Sequence, residues 1–238
     1  MNKGDLRQFI KDELSTIGNG TGNDPFFTNI ILDRFINRAV KWVSDQHFWN
    51  ETEKSMRRNT TAGQEYYTIP EKFKPISIKR IQLDTNNYKI IKWDDYQNIQ
   101  NIYGDGGYTR DILGIYSDKL FLNPKPKTDG VNNLTIWGQE VPTDMVADSD
   151  THPFTRTPRL EQAVLEYALY LCYRKKRGKF KSDGEASLKK ALIEVQMEWS
   201  EQKKQRSYED SVTTTQFEHI DFLSIDNDSR RTDGRFTL

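Results

Sequence analysis

The sequence predicts an α+β chain: an antiparallel bundle of about four helices, a small antiparallel β-domain inserted into it, and an extended C-terminal tail. Three observations predict this. Apolar residues recur at spacings of three and four before residue 50 and again after Pro158, the period of an amphipathic helix. Between those regions short runs alternate apolar with polar residues and are broken by Gly, Pro, Asn and Asp, as in strands joined by turns. After Tyr208 neither period survives. The implied boundaries are an N-terminal helical pair at 1–50, the β-insert at 51–141, a closing helical pair at 142–206 and an arm at 207–238.

Leu6, Phe9, Ile10, Leu14 and Ile17 share one face of a first helix from about Asn2 to Ile17. The glycine-rich Gly18–Asn23 stretch ends it, because glycine loses too much backbone freedom to continue helically. Asp24-Pro25 is a helix-start signal. From there Ile31, Phe35, Ala39 and Trp42, with Leu32, Ile36, Val40 and Val43, form a broad apolar face to about Gln46, wide enough for two neighbours. His47, Phe48 and Trp49 close that helix.

Glu51 to Gly63 reads as a polar connector carrying the basic pair Arg57-Arg58. Gln64 to Ile69 reads as a strand stopped by Pro70, which has no ladder donor. Residues 76–93 read as a hairpin about the Asp84–Asn87 turn. Asp94-Asp95 then caps a short helix from Tyr96 to Tyr103. The Gly104–Gly107 cluster is a mobile loop or a tight turn. Ile112–Tyr116 and Leu120–Leu122 form a second hairpin about Ser117–Lys119, and Asn133–Trp137 supplies the last strand. Five or six strands with one face buried make a compact antiparallel domain.

The acidic, proline-flanked segment from Pro142 to Phe154 reads as a linker. Thr157-Pro158 opens the next helix, lined by Leu160, Val164, Tyr167, Ala168, Leu171 and Cys172. It ends in Arg174, Lys175, Lys176 and Arg177, where cations suit a helix C-terminus. Ser182 to Glu185 has capping-box spacing. Leu188, Leu192, Val195 and Trp199 then run down one face to about Arg206. Residues 207–238 hold seven acidic and three basic side chains with isolated apolar residues. That composition cannot offset its own ordering entropy unless a partner covers it, and Phe217, Ile220, Phe222, Leu223 and Phe236 are its candidate anchors.

Bulk composition limits the function. The 35 basic and 35 acidic residues cancel, so any attraction to nucleic acid must be local. No run is long and apolar enough for a signal peptide or a membrane span, and the reading is a soluble product made in the host cytoplasm. Cys172 is the only cysteine, which excludes an intrachain disulfide and a cysteine zinc cluster and fits a buried small hydrophobe. His47, His152 and His219 are isolated, and no Gly-x-Ser-x-Gly or nucleotide fingerprint occurs. No catalytic residue, cofactor or metal site is expected.

The order of these motifs resembles the head-to-tail adaptor, or connector and head-completion, proteins of tailed bacteriophages. The resemblance is carried by Ile36-Asn37-Arg38-Ala39 with Trp49, by the run from Thr60 to Pro70 followed by Phe73, by Leu120 to Pro126, and by the closing helical pair. It covers about residues 25 to 205. It implies a structural virion protein at the neck, a subunit of a closed ring of commonly twelve copies. Such a ring docks on the portal protein through its C-terminal arm, meets a downstream tail protein, and passes double-stranded DNA without sequence readout. The Arg174–Arg177 run would then face the lumen. Two other classes compete: a β-domain that binds carbohydrate or a receptor through Tyr88, Trp93, Tyr108 and Trp137, and a local nucleic-acid module built on the same basic run.

Overall fold

The amide groups that open a helix have no partner inside it, and in this chain they find one far away in sequence. The computed structural model describes residues 1–17, 27–74, 77–176 and 181–206. Helix α1 (Lys3–Ile17) starts against the segment read as a linker. The Lys3 N–H donates to the Asp150 carbonyl at 2.9 Å and the Gly4 N–H to that of Asp148 at 3.0 Å. Asn2 also forms a β-bridge with Thr151. The acidic segment is therefore a strap and not a linker. Its Asp150 carboxylate accepts the N–H groups of Val146 and Ala147, and its Met145 backbone exchanges two hydrogen bonds with the Asn37 side chain.

Leu6, Ile10 and Leu14 of α1 are buried, whereas Phe9 stands off that face and is exposed. Helix α2 (Asn29–Gln46) begins after Thr28, later than the Asp24-Pro25 signal, which lies outside the described residues. Its buried stripe is Leu32, Ile36, Ala39, Val40 and Val43. Helix α4 (Pro158–Lys176) runs antiparallel to it, since Trp42 stacks on Tyr167 at 4.0 Å while Phe35 meets Lys175. Ala163 to Leu169 of α4 are buried without a break, so this helix is enclosed on every side there. Helix α5 (Lys181–Arg206) returns antiparallel along α4, with Gly184 seated against Tyr173 and Tyr170, and Lys190 3.7 Å from Glu166. Ser182 already lies inside α5, so it is not the expected cap.

The sheet is larger than expected and mixed in direction. Its strands are β1 (Glu53–Thr60), β2 (Tyr66–Thr68), β3 (Arg80–Leu83), β4 (Asn86–Ile91), β5 (Ile112–Tyr116), β6 (Lys119–Asn123) and β7 (Gly130–Gln139). They lie in the order β1-β7-β3-β4-β5-β6-β2 as one seven-stranded sheet, curled into a half-barrel. The stretch read as a polar connector is thus strand β1, paired antiparallel with β7 from Glu53 opposite Gln139 to Arg58 opposite Leu134. The β3–β4 hairpin forms, but from Arg80 and with a turn of only Asp84 and Thr85.

β4 pairs parallel with β5, which corrects the all-antiparallel expectation. A parallel neighbour needs a crossover, and α3 (Trp93–Tyr103) supplies it. Asp94 and Asp95 sit in its first turn, favourable to the helix dipole, while the N-cap is Lys92. Gly114 of β5 lets α3 approach: a Cβ there would lie 2.7 Å from the Tyr96 ring. The Gly104–Gly107 cluster is a tight turn pinned by buried Asn123, whose Oδ1 accepts the Gly106 N–H at 2.8 Å and whose Nδ2 donates to Gln100 at 2.7 Å. Tyr67, Ile81, Leu113, Leu120, Leu122, Leu134 and Ile136 are among the side chains filling the half-barrel.

Sheet and helices meet at Trp49, which is fully buried. Its indole N–H donates to the Val43 carbonyl at 2.7 Å, and its own carbonyl accepts Gln139 Nε2 at 3.2 Å. Lys74, between β2 and β3, reaches the Ser44 carbonyl in the last turn of α2 at 2.9 Å, a cation at a helix C-terminus. Residues Met1 to Ser200 form one compact unit, and Glu201 to Leu238 count as a second, of which only the end of α5 is described.

Candidate assembly surfaces

A chain that works by binding is read from what it leaves exposed. Helix α5 buries its small residues, Ser187, Ala191 and Val195, whereas Leu188 and Leu192, expected on the buried face, are only half-covered. On its outer side Ile193 is 44% and Met197 46% exposed, four residues apart and therefore on one line of the helix. That line follows a four-residue spacing already present in the sequence, alongside the stepping of Leu188, Leu192 and Val195.

The basic end of α4 is placed in part. Arg174 and Lys175 are exposed and Lys176 is half-buried, while Arg177 lies outside the described residues. The Lys175 ammonium sits 5.9 Å from the Phe35 ring and that of Lys176 5.4 Å from the Phe27 ring, so both also cover apolar surface of α2 and the residues before it. Phe217, Ile220, Phe222, Leu223 and Phe236 all lie outside the described residues.

The aromatic residues suggested for ligand binding do not form one surface. Tyr88 is buried, with its hydroxyl on the Pro124 carbonyl at 2.9 Å, and Trp137 lies beneath Arg80 at 4.9 Å. Tyr108 packs at 5.7 Å on Tyr103. Trp93 joins a separate cluster, stacked on Tyr116 at 5.0 Å and near Phe121 at 4.7 Å. Tyr116 is 57% exposed, and Tyr66 continues the row beneath the Lys119 ammonium.

Cys172 is buried and its thiol is pushed up to about 12, so burial outweighs the nearby lysines. His47 stacks on Trp199 at 4.5 Å, and burial lowers its imidazole to about 4. His152, near the end of the strap, is buried, its Nδ1 accepting the Phe154 N–H at 3.2 Å, and burial lowers it likewise to about 4 although Glu161 favours its charged form. Among the described residues no group of three His, Cys, Asp or Glu side chains could hold a metal ion. No described helix is long and apolar enough to cross a membrane.

A profile of the SU10 adaptor protein family matches residues 1–215, nearly the whole chain. The chain belongs to the SU10 adaptor protein family. It is thus a phage adaptor, a structural virion protein whose partners are other virion proteins, in line with the resemblance in its motifs. No curated protein matches the chain. The match reaches past α5 into the arm, so the adaptor's family region includes helices, half-barrel and strap together.

Proposed function

We propose that this adaptor is a head-to-tail connector subunit that assembles into a closed ring, of about twelve copies as the family resemblance implies, beneath the portal. The observation that carries the reading is the family match over the full helical and sheet framework, joined to an outer helix, α5, that leaves Ile193 and Met197 uncovered. A ring requires contacts between unlike faces of identical subunits, and an apolar line on an outer helix suits one such face. In this reading the arm anchors to the portal through Phe217, Ile220, Phe222, Leu223 and Phe236. Arg174, Lys175, Lys176 and Arg177 face DNA passing through the lumen, and the far side of the ring meets a tail protein. The division at 1–50, 51–141, 142–206 and 207–238 assigns these roles to separate segments.

Light scattering and negative-stain imaging of the purified chain, alone and with portal rings, test this. Ring-shaped species that co-sediment with portal, and lose it when residues 207–238 are deleted, are expected. A monomer that ignores the portal overturns the reading. The exposed Tyr116, stacked on half-buried Trp93, favours a second reading, glycan or receptor binding by the sheet, and saturable glycan binding by a stable monomer would establish it.

A further inference from the structure

The basic pair Arg57-Arg58 has no role in the adaptor reading, yet the fold gives it a definite setting. β1 and β2 are the two edges of the curled sheet, and residues of both line a polar cleft of about 480 Å³. Its walls include Arg57, Arg58 and Asn59 of β1, Thr68 of β2 and Asn132 of β7. Neighbouring strand residues point to opposite faces, yet β1 is a sheet edge, and both arginines line the cleft that opens beside it. Here the ladder breaks just beyond them. Arg58 lies opposite Leu134 but Thr60 opposite Gly130, and the bulged β7 residues include Asn132 at φ 54°. The extra residues are on β7, so the bend belongs to that strand and brings Asn132 to the cleft, while Arg57 and Arg58 stay in the ladder opposite Thr135 and Leu134. The Asn132 N–H donates to Asn59 Oδ1 at 2.9 Å and holds the irregularity in place.

The arginines of this seam form no ion pair among the described residues. Lys41, Lys74 and Lys79 each meet a carboxylate, as do Lys3 and Arg7. Among the described residues neither Arg57 nor Arg58 has such a partner, and no carboxylate lines the cleft. Asp129 stands near the cleft and not in its wall: its charge acts on the Tyr67 hydroxyl, and its Oδ1 accepts the Ala62 N–H at 2.7 Å. Two guanidinium groups with the amides of Asn59, Gln64 and Asn132 and the Thr68 hydroxyl give the cleft cationic donors and no anionic acceptor, a setting that suits a tetrahedral oxyanion.

We infer that the β1–β2 seam binds phosphate, presented by the phosphodiester backbone of nucleic acid, with Arg57 and Arg58 as the contacting groups. The phosphate chemistry stands on the cleft alone; the choice of nucleic acid as its source rests on the adaptor reading, which brings duplex DNA within reach. Backbone contact of this kind needs no base readout.

The full-length protein, its fold checked by circular dichroism, is titrated with mixed-sequence duplex DNA by fluorescence anisotropy and with inorganic phosphate by calorimetry. R57A/R58A is expected to weaken duplex binding about tenfold or more and to lower its salt slope by about two between ~50 and ~200 mM salt. R57K/R58K keeps the charge but loses the fork, and should fall between. K54A, an exposed lysine of β1 outside the cleft, should bind as the unaltered chain does. Equal binding by R57A/R58A, or no saturable duplex binding at all, overturns the inference. Phosphate binding without duplex binding overturns the nucleic-acid source, and tighter binding of polyglutamate than of duplex overturns the phosphate assignment. R57A/R58A is also sedimented with portal rings: loss of DNA with portal binding intact concerns the seam, whereas failure of the unaltered chain at the portal concerns the adaptor reading.

Discussion

The half-barrel and the helical frame are packed against each other but held by different chemistry. The sheet closes on aliphatic side chains and on tyrosines that deliver their hydroxyls to backbone carbonyls, Tyr88 to Pro124 at 2.9 Å and Tyr96 to Leu122 at 3.3 Å. Burial pushes the Tyr96 phenol up to about 12, so it stays neutral throughout the physiological range. The frame has an apolar core too, but its N-terminal helix is tied down by ions. Arg7 grips Asp33 through Nε at 2.7 Å and Asp148 through Nη2 at 2.7 Å, and buried Lys3 reaches Asp33 and the Val146 carbonyl. His47 and His152 belong to the frame and its junction, and the strands contain no histidine. Apolar burial does not titrate and ionic ties do, so one half of the molecule should answer to pH and the other should not.

The junction offers the most severe way to break the comparison. Trp49→Ala empties a fully buried site shared by both halves and removes the hydrogen bond to Val43; a loss of about 3–5 kcal/mol is expected, measured by urea denaturation. Gly114→Ala strikes the sheet alone, because its Cβ would press on Tyr96; about 1–3 kcal/mol should be lost, equally at neutral and mildly acidic pH. A strong pH dependence of that loss would remove the distinction between the two halves.

Lys3→Met strikes the frame alone and should cost about 1–2 kcal/mol, with α1 the first element to lose amide-exchange protection. Mild acid provides the next test. The folded values of His47 and His152 are depressed, so between their ordinary value near 6.5 and about 4 the unfolded chain binds protons that the folded chain does not. Stability is therefore full above that window and falls as pH descends through it. Asp148 and Asp150, held below the usual carboxylate range by Arg7 and by backbone N–H groups respectively, add their loss at still lower pH. Exchange should rise in α1, the strap and the start of α4 before β3 to β6; the reverse order would contradict the comparison. The smallest effect on the subunit should come from Ile193→Gln with Met197→Gln, within about 0.5 kcal/mol in the monomer because both side chains are exposed. Light scattering should nevertheless show weakened ring assembly, and unchanged assembly would move the subunit contact away from α5.

The helices α1, α2, α4 and α5, the two hairpins and the adaptor resemblance were all legible in the residues, because periodicity, turn chemistry and proline stops act over a few positions. Strand β1 was not. Its Glu53-Lys54-Ser55-Met56-Arg57-Arg58-Asn59-Thr60 run is an edge with much of its surface in solvent, so it carries little of the apolar alternation by which a strand announces itself. The parallel pairing of β4 with β5, the strap that completes the first turn of α1, and the meeting of Arg57 and Arg58 in one cleft were decided by the tertiary structure alone. Each joins residues whose partners are distant in the chain, and a local pattern cannot encode which unpaired backbone groups or charges will find one another once the core has closed.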